Sequence, residues 1–205
     1  SGGHDSAMKR FYPLCRATHL AVLVAVLVLA SATVLQPVPH ARAQVAALPE
    51  IVVLDGSLMT DLAGLDVMRG ADIGPAALQG KFVVVSFFAS WCAPCRAEFI
   101  ELGSLIEEMG PDRLKVVTIN WLEDFTRYPQ ASLAIYRVLD RLDPHITAVA
   151  GTEDISRRFG GADGIRAIPT LFAFDPSGAQ VFRFQRGSAA GKTHTAAADL
   201  RAAFR

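Results

Sequence analysis

The sequence predicts an α/β protein with a mixed central sheet flanked by helices. Three observations point there. Lys81-Phe82-Val83-Val84-Val85-Ser86-Phe87-Phe88 is a near-continuous apolar run of strand length, and the stretch Arg96 to Met109 behind it sets Phe99, Leu102, Ile106 and Met109 on one helical face. Leu114 to Asn120 is a second run of the same kind, which makes 81–120 a strand–helix–strand unit. Finally, Leu171-Phe172-Ala173-Phe174 and Val181-Phe182-Arg183-Phe184 flank Asp175-Pro176-Ser177-Gly178. Asp first, Pro second and Gly fourth suit a type I turn, so this is a hairpin.

The elements follow in chain order. Residues 1–7 fit neither a signal nor a domain. Met8-Lys9-Arg10 opens a basic stretch extended by Arg16, Leu20 to Ala30 is uninterruptedly apolar, and Ala41-Arg42-Ala43 is an A-x-A site before Gln44. This order describes a secretory signal peptide, so residues 1–43 are read as a leader and 44–205 as one exported domain. An uncleaved anchor through residues 20–35 is the alternative, but that stretch is shorter than the ~20 residues of a usual spanning helix, which favours cleavage. Residues 44–80 read as an extension with one strand candidate, Ile51 to Leu54, and turn signals at Asp55-Gly56 and Gly74-Pro75. Beyond the second core strand, 121–150 reads as a central insert. It holds a helix with Leu133, Tyr136, Leu139 and Leu142 at i+3 spacing and a strand candidate, Ile146 to Ala150. Asp154 is placed to cap a short helix through Phe159. Gly160 to Gly164 lacks the phosphate-binding GxxxxGK[ST] pattern and reads as a loop. The last fourteen residues suggest a terminal helix with Leu200 and Phe204 inward.

Composition removes several functions. Lys plus Arg and Asp plus Glu each number 20, so net charge leaves no nucleic-acid footprint. Of the three cysteines, Cys15 precedes the apolar run, and 44–205 holds only Cys92 and Cys95. In an oxidising compartment these two thiols have only each other. Structural zinc needs four ligands, and besides this pair the exported part has only His145 and His194. An inert staple is also a poor reading, because a two-residue spacer closes too short a loop to stabilise much. His145 reads as a surface residue and Trp121 as a packing residue.

What remains is chemistry. Trp91-Cys92-Ala93-Pro94-Cys95 sits where a strand hands over to a helix N-terminus. Amides there lack partners and the helix dipole favours negative charge. That environment lowers a thiol pKa and makes a nucleophilic thiolate of Cys92.

The segment Ser86 to Phe99 resembles the active site of thioredoxin-fold proteins, and more narrowly that of the exported TlpA/ResA/DsbE-like branch. Gly80-Lys81 before the first core strand, the insert, Gly164-Ile165-Arg166-Ala167-Ile168-Pro169-Thr170, the 175–178 hairpin and Arg186-Gly187 agree with that branch over roughly residues 75–205. The resemblance implies a thioredoxin-like fold in which Cys92 is the exposed attacking cysteine and Cys95 the buried resolving one. It further implies that Trp91 shields the disulfide, that Pro169 is a cis-proline facing the sulfurs, and that Ile168 offers backbone to an incoming peptide. Glu98 matches an acidic position near the thiols. One departure stands out: thioredoxins proper carry a buried Asp six residues before the first cysteine, where this chain has Ser86. Glu98 is the substitute candidate for tuning Cys95, against the plainer reading of a solvated first-turn carboxylate.

The expected function is an exported, periplasmic or envelope thiol–disulfide oxidoreductase that works mainly as a reductant, with the Cys92/Cys95 disulfide as its redox group and no other cofactor or metal. The Ala-Pro dipeptide resembles the Gly-Pro of reducing members more than the Pro-His of strong oxidants. Expected partners are protein disulfides, among them apocytochrome c or copper-delivery proteins, and a membrane thiol reductase as electron donor. A disulfide oxidant or isomerase is the alternative. A thioredoxin-fold copper carrier is the less favoured reading, since it would want CxxxC spacing with a nearby His or a Met/His cluster and neither is present; a thiol peroxidase would want a T-x-x-C context, which Ala89-Ser90-Trp91-Cys92 does not provide.

Overall fold

The computed structural model describes residues 51–71, 73–127 and 129–205. The leader expected over 1–43, with its anchor alternative at 20–35, lies outside the described residues. Among the described residues no helix is long and apolar enough to cross a membrane.

The sheet has six strands: β1 (Val67–Arg69), β2 (Phe82–Phe88), β3 (Leu114–Asn120), β4 (Ile146–Ala150), β5 (Thr170–Phe174) and β6 (Gln180–Gln185), in the order β1-β4-β3-β2-β5-β6. β2, β3 and β4 are parallel; β5 runs antiparallel to β2, β6 to β5, and β1 to β4. The parallel strands are buried on both faces, hence their unbroken apolar runs in sequence. The helices are α1 (Gly56–Ala63), α2 (Pro75–Leu78), α3 (Ala93–Met109), α4 (Ala131–Leu139), α5 (Glu153–Gly160) and α6 (Ala197–Ala203).

Two adjacent phenylalanines fix the layers. Successive strand residues point to opposite faces. Phe87 meets Phe159 of α5 with ring centroids 5.3 Å apart, whereas Phe88 meets Phe99 of α3 at 5.2 Å. Helices therefore cover both faces of the sheet, and this is a thioredoxin-like α/β fold. Phe159 also packs on Phe172 and Phe174 of β5. α6 lies along α3, tied by Ala197 N–H to Glu101 at 2.9 Å and Arg201 to Glu108 at 2.6 Å. Leu200 is buried and Phe204 stacks on Phe82 at 4.5 Å.

Several local expectations change. Residues 51–54 form no strand, although Leu54 N–H does bond Gly178 O at 2.9 Å beside the β5–β6 hairpin. Asp55-Gly56 is not a turn but the start of α1, with the Asp55 carboxylate accepting Leu58 N–H at 2.8 Å. Gly74-Pro75 similarly opens α2, with proline in its first turn. Thr152, not Asp154, caps α5; its hydroxyl accepts Ile155 N–H, and Asp154 sits in the first turn. The helix within 121–150 exists, but its buried face is Ala131, Ile135, Val138 and Leu139; Leu133 and Tyr136 are 59% and 63% exposed. An i+3 row drifts across a 3.6-residue period, so four matches at that spacing cannot all face one way. The same segment supplies β4, which pairs β3 inside the sheet. Residues Gly161–Asp163 form a 3₁₀ turn rather than open loop.

Candidate active site

The site assembles at the end of the sheet where β2 finishes. Ala89 to Cys92 make a tight turn, Cys92 N–H bonding Ala89 O at 3.0 Å, and α3 starts at Ala93. Cys92 caps α3: its Sγ accepts the N–H of Cys95 at 3.2 Å. A sulfur so placed meets the unpaired amides and positive end of a 17-residue helix, conditions that stabilise a thiolate. Cys92 and Cys95 are joined by a disulfide, with Cα atoms 5.3 Å apart. Because β5 runs antiparallel to β2 with Phe87 opposite Thr170, the residues just before β5 arrive at the same edge. These are Ile168 and Pro169, both buried, joined by a cis peptide bond.

One implied property differs. Cys92 is only 1% exposed, as is Cys95, while Trp91 beside it is 52% exposed. The resemblance implied an exposed Cys92. In the closed disulfide its sulfur is instead turned inward onto the first turn of α3, where it accepts the Cys95 amide. His145 is exposed, and Trp121 is half-buried with its indole N–H on Ile165 O at 3.0 Å, a packing role.

Glu98 is no solvated carboxylate: it is fully buried, one turn after Cys95 on α3. Its Oε1 accepts the hydroxyl of Ser86 at 2.5 Å and its Oε2 accepts Thr195 N–H at 3.1 Å. Burial pushes its pKa from 4.5 up to about 7, with those hydrogen bonds opposing the rise in part. Ser86 and Phe88 share a face of β2 by strand alternation, so Ser86 is aimed at α3. The residue that departs from the thioredoxin pattern is thus the one that holds the carboxyl. A hydroxyl inside an apolar strand must find a partner, which was the sequence signal for this pair.

Glu123 was missed. Its carboxylate accepts Ser90 N–H at 2.5 Å, Ser90 Oγ–H at 2.9 Å and Asn120 Nδ2–H at 2.8 Å. Next to it, Leu122 takes a left-handed backbone with φ 62 and points its carbonyl at Trp91 Nε1, 3.0 Å away. Arg96 binds Ser90 O at 3.1 Å from the other side. The turn before Cys92 is therefore clamped by the loop after β3. The available signal was position: polar residues just past the carboxyl end of a parallel strand lie where α/β sheets place their sites. Glu123→Gln keeps one oxygen for Ser90 N–H and Asn120, forces the Ser90 hydroxyl to reverse and loses the charge, and should cost about 1 kcal/mol of stability, read from the denaturant midpoint. An unchanged midpoint would show that the clamp is not held by that carboxylate. Among the described residues there is no cluster of three or more His, Cys, Asp or Glu fit to hold a metal ion.

A cysteine pair at the helix N-terminus of a thioredoxin-like domain, with a cis-proline at the same sheet edge, defines the class: a thioredoxin-like protein with a CxxC disulfide. The chain belongs to the AhpC/TSA family, whose model matches residues 59–179. It is 23% identical over 114 residues to the thiol-disulfide oxidoreductase ResA of Bacillus subtilis, covering 56% of this chain and 58% of that protein. It is 31% identical over 100 residues to the thiol:disulfide interchange protein HelX of Rhodobacter capsulatus, covering 49% of each. The chain thus spans about half the length of these curated relatives. The fold is shared with a secreted Mycobacterium tuberculosis disulfide oxidoreductase homologous to DsbE of E. coli, with TM-score 0.50 and 18% identity over 68% of this chain and 91% of that one.

Proposed function

We propose that the protein is an exported thiol–disulfide oxidoreductase that acts mainly as a reductant through Cys92 and Cys95. The observation that carries this is the disulfide at the N-terminus of α3 with a buried carboxyl one turn along the same helix. Cys92 thiolate attacks a substrate disulfide, forming a mixed disulfide and expelling one substrate sulfur as thiolate. Cys95 gives its proton to the Glu98 carboxylate and attacks Cys92 Sγ; the Cys92–substrate bond breaks, its electron pair leaving on the second substrate sulfur. An extended substrate chain lies against Ile168-Pro169, in the manner of strand addition.

One feature of charge supports the reductant direction. Strong oxidants in this fold stabilise the reduced thiolate, whereas a carboxyl near Cys95 that ionises at about neutral pH works against a second negative charge beside it. Relatives named for thiol–disulfide interchange and a neighbour described as secreted support export and protein disulfides as substrates. Within that class, apocytochrome c and copper-delivery proteins are the targets that the family resemblance favours, with a membrane thiol reductase as the source of electrons. Equilibrating the full chain against thiol buffers tests the direction. A potential near or below that of thioredoxin, about −270 mV, is expected. One near −120 mV would make the protein a disulfide donor instead.

A further inference from the structure

Thr195 lies in the segment between β6 and α6, 97 positions from Glu98 in sequence. Its backbone N–H reaches Glu98 Oε2, and its own side chain is buried beside that carboxyl with a hydroxyl that makes no well-formed hydrogen bond, although donation from it would favour the ionised acid. A buried polar atom left unpaired costs stability and calls for a reason. The reason lies in what an acid requires in each of its two states. Ionised, a carboxylate only accepts, and Glu98 has two donors, Ser86 Oγ–H and Thr195 N–H. Neutral, it also carries an O–H that needs an acceptor.

Two hydroxyl oxygens are candidates. If the proton sat on Oε1 and bonded Ser86 Oγ, the serine's own hydrogen would lose its acceptor in a fully buried strand position. If it sits on Oε2, beside Thr195, the Ser86 bond stays intact and the unpaired threonine oxygen gains a partner. We propose that Thr195 is a positioning residue for proton transfer at Cys95, its Oγ1 accepting the hydrogen bond of neutral Glu98. This deepens, and rests on, the oxidoreductase reading above.

The consequence is a carboxyl satisfied in both protonation states. It takes the Cys95 proton when the mixed disulfide resolves, and holds it toward Thr195. When a dithiol donor later reduces the Cys92–Cys95 disulfide, the S–S electron pair leaves on Cys95 Sγ and the proton returns to that sulfur. Other charged groups of the segment are engaged elsewhere: Lys192 with Asp199 at 2.5 Å, His194 with Thr193 Oγ1 at 3.0 Å, and Glu101 of α3 with Ala197 N–H. The groups facing Glu98 directly are Ser86 from β2 and Thr195 from this segment, with Cys95 one turn back on its own helix.

The test titrates Glu98 in the full chain with its disulfide closed, so that no thiol titrates. The infrared carbonyl band of the neutral acid, identified by its loss in Glu98→Gln, reports the midpoint. Thr195→Val keeps the shape and removes the acceptor; Thr195→Ser restores it. The midpoint is expected to fall by about half to one pH unit in Thr195→Val, to stay at the wild-type value in Thr195→Ser, and the valine band to move to the frequency of an unbonded acid. A midpoint that is unchanged in Thr195→Val overturns the proposal. So does one that rises, which would mean that the hydroxyl serves the ionised form. Neither result needs turnover, so the oxidoreductase reading fails by a separate route, through a Cys92→Ser protein that keeps its activity.

Discussion

A Cys92→Ser protein is expected to reduce insulin disulfides no faster than the uncatalysed background, whereas Cys95→Ser is expected to accumulate as a mixed disulfide with its substrate. The asymmetry follows from position. Cys92 caps α3 and takes the amide of Cys95, so the helix end stabilises charge on that sulfur, and serine offers no comparable nucleophile at neutral pH. Cys95 lies inside the first turn, buried, and is placed only to attack Cys92. Without it the first step still occurs and the second cannot, so the intermediate persists and is released by added dithiol. Mass spectrometry of the trapped adduct and an insulin turbidity assay read the two outcomes. Full turnover by Cys92→Ser would remove the mechanism altogether.

The second large effect is a pH dependence of stability carried by Glu98. Its folded pKa is raised, to about 7 from 4.5. The folded state therefore holds the proton more tightly than the unfolded chain does. Stability from this group is fully present below about pH 4.5 and is lost as pH rises through about 7, a total of roughly 3 kcal/mol. Glu98→Gln has no charge to bury. Denaturant midpoints of the disulfide-closed proteins at pH 5 and pH 8 should therefore converge or cross, the glutamine variant gaining on the wild type by about that amount at the higher pH. Parallel pH profiles would show that Glu98 ionises as it would in water. On the proposed mechanism the resolving step draws on the same buried carboxyl, so stability and chemistry would depend on one group.

Much of this protein was readable in advance, and the unread parts share a cause. The β2–α3–β3 unit and the 175–178 hairpin came through with bounds near those observed, because buried parallel strands are continuously apolar and a type I turn has a fixed residue code. The short elements did not. α1 and β1 lie in an extension whose periodicity is too brief to register, and the face of α4 was misread because its apolar residues outnumber those it buries.

The site divides in the same way. The placement of Cys92, Cys95, Trp91 and the Ile168-Pro169 segment is legible because its signals are local: a two-residue spacer, a strand handing over to a helix, a recognisable stretch before β5. Glu98 was legible as a residue but not as an environment. On sequence it could equally have been a wet carboxylate, and only the folded chain brings Ser86 from 12 positions before it and Thr195 from 97 after it, closing water out. The Glu123 clamp on Ser90 spans 33 positions, and only its place just past the end of β3 hinted at it. By itself, then, the sequence determined the cysteine pair and which short elements carry it, since periodicity and spacing act within a few residues. The tertiary structure decided the burial of the acid beside them, which raises its pKa, and the inward turn of Cys92, because desolvation depends on everything packed around a group rather than on its neighbours along the chain.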